Sequence, residues 1–152
     1  ICSMSIEQEL YRQIIVDHGK NPRNFHKTEG ACSLDGHNPL CGDKVTVYIK
    51  QENNVITEAS FTGSGCAIAM ASASLMTEVI VGMPTCKSKE LFQNFHNALV
   101  AEADFPEVDD AHSRIALLLG VKNYPVRVKC ATLAWHTLAA ILQQESTNIS
   151  TE

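Results

Sequence analysis

The chain has 152 residues, the usual length of one domain, with 45% hydrophobic and 19% charged residues, so it can bury a core and is not disordered as a whole. Seventeen acidic residues against twelve Lys and Arg give a net charge of −5, which argues against a phosphate-neutralising surface and removes nucleic acid as an expected partner. Glu78 and Pro84 interrupt the longest apolar run, Ala67 to Met83, before it reaches the roughly 18 residues of a membrane helix, so no membrane partner is expected.

Ile6 to Leu10 is acidic where a secretory signal would be basic and then apolar. The six cysteines, Cys2, Cys32, Cys41, Cys66, Cys86 and Cys130, are therefore expected in a reducing cytoplasm, serving catalysis, metal binding or packing rather than disulfides. Met4 reads as a natural start. This leaves residues 1–4 as a flexible lead without a role for Cys2, residues 5–145 as a single domain, and residues 146–152 as a polar tail.

In chain order, Ser5 and Gln8 form a weak capping box ahead of Ile6, Leu10 and Ile14, predicting an amphipathic helix that stops at Gly19 before the loop Asn21-Pro22-Arg23-Asn24. Ala31 to Leu34 reads as a short strand before an Asp35-Gly36 turn. Val45, Val47 and Ile49 alternate with Thr46, Tyr48 and Lys50, and Val55 to Phe61 resumes the pattern after Asn53-Asn54, predicting an antiparallel hairpin. Gly63-Ser64-Gly65 closes it. The small and apolar stretch Cys66 to Val81 predicts a buried helix ended by Gly82 and Pro84. Further helices are expected over Ser88 to Ala101 and Val108 to Leu119, then an extended Tyr124 to Lys129 held out of helix by Pro125, then a last helix from Cys130 to Gln144.

On this plan Cys41 lies just before the first hairpin strand, while Cys66 and Cys130 each open a helix, where the dipole and unpaired amides favour thiolate. A hairpin places the start of its first strand beside the end of its second, so Cys41 and the Gly63 to Cys66 loop share one end of the sheet. Gly42 lets Cys41 and Asp43 face a common point. Three thiolates and one carboxylate suit tetrahedral Zn²⁺, and the thiolates equally suit an iron–sulfur cluster. Four such ligands leave zinc with a local charge of about −2, which Arg127 and Lys129 are placed to offset; the two are also candidates for contacting anionic sulfur or a partner, and both equally read as ordinary solvated charges. Cys32 and Cys86 have no partner at ligand spacing and read as small buried hydrophobes. The six histidines form no HxH or HxxxH pair, and Trp135 and Met76 fit core packing.

These residues resemble the SufU-type members of the IscU/NifU-like family of iron–sulfur assembly proteins. The likeness is carried by Leu10 to His18 with Asn21-Pro22-Arg23-Asn24, by Asn38-Pro39-Leu40-Cys41-Gly42-Asp43, by Gly63-Ser64-Gly65-Cys66-Ala67-Ile68, and by Arg127-Val128-Lys129-Cys130-Ala131-Thr132-Leu133-Ala134-Trp135. It implies an α+β fold, a small three-stranded antiparallel sheet packed with about five to six helices. It also implies a metal site of Cys41, Asp43, Cys66 and Cys130. In SufU-like proteins that site holds zinc, and sulfur arrives as a persulfide from a pyridoxal-phosphate cysteine desulfurase of the SufS kind, with Cys41 as acceptor and a downstream scaffold or apoprotein as recipient. In IscU-like scaffolds Cys41, Cys66 and Cys130 would instead hold a [2Fe–2S] cluster. Lys129, standing where those scaffolds carry histidine, and an added helical segment around Phe105 to Leu119 point toward sulfur transfer. A purely structural zinc site in an interaction module is the remaining alternative.

Overall fold

The computed structural model describes residues 6–39, 42–101, 103–106, 109–122 and 124–150, with side chains described between residues 9 and 143 except those of residues 10 and 11 and the gaps just given. Helix α1 (Ile6–Lys20) leads into strands β1 (Cys32–Asn38), β2 (Asp43–Glu52) and β3 (Val55–Ser64). Helices α2 (Ala67–Ile80), α3 (Thr85–Val100) and α4 (Asp110–Ala116) follow, then a 3₁₀ turn (Leu117–Val121) and α5 (Pro125–Ser150). The sheet is antiparallel in the order β1-β2-β3, so the α+β class and the three-stranded sheet expected from the sequence are both present.

The β2–β3 turn consists of Asn53 and Asn54, with φ of 52° and 64°. Asparagine tolerates this left-handed backbone, and two such residues in succession match the right-handed twist of the flanking strands. The alternation seen in the sequence becomes a buried face of Val45, Val47 and Ile49 on β2, joined by Ile56, Ala59 and Phe61 on β3. Helices α2 and α5 cover that face. α2 buries nearly every position from Ile68 to Ile80, and its alanines and serines let α1 and α5 approach closely. Gly19, still helical inside α1 rather than ending it, is one such approach: a Cβ there would stand 3.1 Å from Ala67 Cβ. Trp135, fully buried on α5, donates through Nε1 to Ser72 Oγ (3.1 Å), and Ser72 Oγ donates to the Ala131 carbonyl (2.5 Å). These two bonds fix the height of α5 against α2. Trp135 and Met76 are core residues, as expected.

Several local expectations are corrected. Asp35-Gly36 is no turn: both residues belong to β1, opposite Thr46 and Val45. A Cβ at Gly36 would collide with Thr137 Oγ1, so the glycine serves the passage of α5 across the strand. Tyr124 to Lys129 is not extended, because α5 already begins at Pro125. Proline at the first position of a helix lacks only an N–H that would be unpaired there, and its φ is already helical. Cys130 consequently sits in the second turn of α5 and does not open it. The segment expected as a helix from Val108 to Leu119 divides into α4, capped by Asp109 Oδ1 accepting from His112 N (2.8 Å), and the 3₁₀ turn. Cys32 and Cys86 are exposed rather than buried. The Ser5 cap and Cys2 lie outside the described residues, whereas the backbone of the expected polar tail continues the α5 helix through Ser150.

Candidate metal centre

Asp43 is the first residue of β2 and is fully buried. A buried carboxylate requires donors, and two are present. Cys66 N donates to Oδ1 at 2.9 Å, and Asn38 Nδ2 lies 3.5 Å from Oδ2. The register pairs Asn38 with Asp43 directly, and Lys44 with Ser64, so the β1–β2 turn and the β3–α2 junction meet at one end of the sheet. The preceding residue, Gly42, has φ of +73° and, among the described residues, no atom within 4 Å of where a Cβ would stand, so its backbone is what calls for glycine. Gly65 is a glycine for lack of room: its Cβ would come within 2.5 Å of Asp43 Oδ1.

Cys66 is the N-cap of α2, with Sγ accepting from Ala69 N at 3.4 Å, which bears out its expected place at a helix start. Its exposure is intermediate. Cys130 is 1% exposed, packed beside Ala131 where Ser72 ties α5 to α2, and its Sγ lies 3.8 Å from Asn38 Nδ2. The oxygen of Asp43 and the sulfurs of Cys66 and Cys130 lie within 4.8 Å of one another. Donors around a tetrahedral zinc, with bonds of about 2.0–2.3 Å, are separated by roughly 3.3–3.8 Å. A modest contraction therefore brings all three onto one ion. With two thiols and one carboxylate among the described residues, the set is chemically apt for a borderline-soft divalent metal.

Three of the four expected ligands thus converge. The fourth, Cys41, lies outside the described residues; next to it in the chain, Gly42 N donates to the Asn38 carbonyl (2.8 Å). Arg127 and Lys129 are exposed near the start of α5; Lys129 lines a groove with Lys122, His96 and His136 rather than joining the thiols. Asn38 and Gly65 are the site residues to which sequence reasoning assigned no role. Their signals, a polar residue two positions before Leu40-Cys41 and a glycine directly before a helix-capping cysteine, acquire meaning only once the strands are in register.

A carboxylate and two cysteines gathered at one end of a small α+β domain make a donor set of the kind that holds a metal ion. A family model for the NifU-like N-terminal domain matches residues 10–131, and the chain belongs to that family. It is 39% identical over 131 residues, covering 85% of this chain and 86% of the relative, to a protein of Bacillus subtilis named zinc-dependent sulfurtransferase SufU. It is 36% identical over 138 residues, 90% of this chain and 95% of the relative, to the iron–sulfur cluster assembly scaffold protein IscU of Thermotoga maritima. Among solved structures, one described as an assembly scaffold for the SUF system of Fervidobacterium islandicum superposes with a TM-score of 0.80 at 35% identity, covering 87% of this chain and 96% of that one. The N-terminal part of a NifU-like protein from Brucella abortus shares the fold, with a TM-score of 0.81 at 22% identity over 92% of this chain and 96% of that one.

Proposed function

We propose that this iron–sulfur cluster assembly protein accepts persulfide sulfur on Cys41 from a pyridoxal-phosphate cysteine desulfurase of the SufS kind, at a zinc site formed by Cys41, Asp43, Cys66 and Cys130. The observation that carries this reading is the convergence of Asp43, Cys66 and Cys130 within 4.8 Å. The name and 39% identity of the Bacillus subtilis relative support it.

Zinc, when bound, keeps coordinated cysteines as thiolates at neutral pH. The chain's own part is to aim them. The Cys66 amide fixes one oxygen of Asp43, and the packing of α5 against Ser72 fixes Cys130. Cys41 is followed by Gly42, whose φ of +73° is open to glycine at no steric cost. In the transfer step the Cys41 thiolate attacks the outer sulfur of the desulfurase persulfide. A sulfur–sulfur bond forms on Cys41, the bond to the desulfurase cysteine breaks, and that cysteine leaves as thiolate, so no external oxidant or reductant enters. A downstream scaffold or apoprotein then receives the sulfur.

A scaffold role is the second reading, supported by the scaffold names of the Thermotoga maritima and Fervidobacterium islandicum proteins and by the two thiols already in place. One experiment separates the two. Protein purified without added metal is assayed for zinc, iron and acid-labile sulfide, and added in catalytic amounts to the desulfurase. Stoichiometric zinc with strong stimulation, abolished by Cys41→Ser, is the expected result. Undiminished stimulation by Cys41→Ser overturns the mechanism, and iron with labile sulfide but little stimulation makes the protein a scaffold. Unfolding on chelation without persulfide on any cysteine would leave a structural zinc site only.

A further inference from the structure

Asn38 ends β1 and is 6% exposed, beside the Cys130 sulfur and the Asp43 carboxylate. We propose that Asn38 is a positioning residue of the metal centre, its side-chain amide bridging Asp43 on β2 and Cys130 on α5 and holding these two donors at one spacing. This rests on the metal-site reading above.

Three observations lead to it. The amide nitrogen lies 3.5 Å from Asp43 Oδ2 and 3.8 Å from Cys130 Sγ, both within reach of a weak or sulfur-type hydrogen bond. Both neighbours are acceptors once ionised, so the opposite flip of the amide would turn its oxygen toward two negative groups. Asp43 Oδ1 is already engaged by Cys66 N, so Asn38 completes a pattern in which each carboxylate oxygen has its own donor. Finally, the Asn38 backbone carbonyl accepts from Gly42 N, which anchors the amide to the turn that presents Asp43.

The consequence is chemical as well as geometric. A hydrogen bond to a thiolate draws electron density from sulfur and lowers the energy of its lone pairs, while the same nitrogen steadies a carboxylate that is the weakest member of the set. Without it, Cys130 would bind as a more electron-rich thiolate and Asp43 would be free to rotate. Partners of this kind, one bond removed from the ligands, commonly change metal affinity by roughly ten- to hundredfold.

The test uses the full chain and Co²⁺ as a spectroscopic probe. Asn38→Leu keeps the volume and removes the donor; Asn38→Ser keeps a shorter donor. The thiolate-to-cobalt charge-transfer band of Asn38→Leu is expected at longer wavelength than wild type, with Zn²⁺ affinity, measured by chelator competition, roughly ten- to hundredfold weaker, and Asn38→Ser lying between. An unchanged band and unchanged zinc affinity in Asn38→Leu overturn the proposal. A lowered melting temperature of the metal-free variant with an unaltered cobalt spectrum overturns it too, since that marks a purely structural residue. If Asn38→Leu does not fold, Asn38→Ala removes the donor without adding an apolar branch and is read the same way. Wild-type protein that gives no thiolate-to-cobalt band at all would instead defeat the metal-site reading, a failure visible before any Asn38 variant is made.

Discussion

Gly65 bears on the site through what it lacks. A methyl group there would press on Asp43, 2.5 Å from Oδ1 and 3.1 Å from Cβ and Cγ, and the carboxylate is already pinned by the next amide along the chain. Gly65→Ala is therefore expected to cost the metal-free protein about 1–3 kcal/mol, as overpacked cores do, and to push Asp43 away from the two sulfurs. Urea unfolding gives the first effect. A zinc titration against a competing chelator gives the second, expected to be a loss of at least about tenfold; zinc affinity equal to wild type would separate Asp43 placement from this contact. At this scale the sequence was most legible where chemistry is carried by residue type. Thiols and a carboxylate beside glycines announce a site through their rarity, as Cys66 and Asp43 do. Asn38 announces nothing, because an asparagine before a proline is ordinary turn chemistry until the strand register sets it against a carboxylate.

At the scale of elements, α1, α2 and α4 are joined through one buried imidazole. His18 Nδ1 bonds Ser74 Oγ at 2.7 Å, and Ser74 Oγ also accepts from Arg23 N at 2.8 Å. Glu78 lies 3.8 Å from His18 Nε2 but is paired more closely with Arg114, at 2.7 Å. Burial holds the His18 pKa below its ordinary value, with the Arg23 charge acting in the same direction against the opposing pull of Glu78 and Asp17. The unfolded chain thus takes up a proton near pH 6.5 that the folded chain refuses, so stability is full above that pH and declines as pH falls through it. Unfolding free energy measured from pH 7.5 to 5 should fall on acidification, and His18→Asn, which keeps a polar group near Ser74, should flatten the curve. His136, packed on Phe92 and facing His96, shifts in the same direction and supplies part of the remaining slope. A slope identical to wild type would count against His18. Elements were legible wherever one periodicity ruled, as in the β2–β3 hairpin and α2. They were misread at Asp35-Gly36 and Pro125, where a local signal has two meanings and a distant contact selects one: Thr137 above Gly36, and the packing of Cys130, Ala131 and Ala134 behind Pro125.

For the whole molecule, the converging donors come from distant parts of the chain, the hairpin, the start of α2 and the second turn of α5. An ion shared among them acts as a reversible cross-link, restraining the unfolded chain much as a long-loop disulfide does. At a hundredfold excess over its dissociation constant, zinc should add about 2.7 kcal/mol, which for a domain of this size corresponds to roughly 5–10 °C in melting temperature. Chelation should remove that increment, and Cys130→Ser should melt at one temperature with or without zinc; an equal response in both proteins would place the stabilising ion elsewhere. The position of α5 also sets a timetable for biosynthesis. The sheet is complete by Ser64 and α2 by Ile80, yet the face around Gly36 and Val45 is covered by Leu133 and Thr137 of α5. A ribosome adding about 5–20 residues per second holds that face and the Cys66 thiol uncovered for several seconds. Loading of the thiol site is therefore among the last events in the making of the protein, and a chaperone or reductant acting on the nascent chain has its opportunity before the last helix emerges.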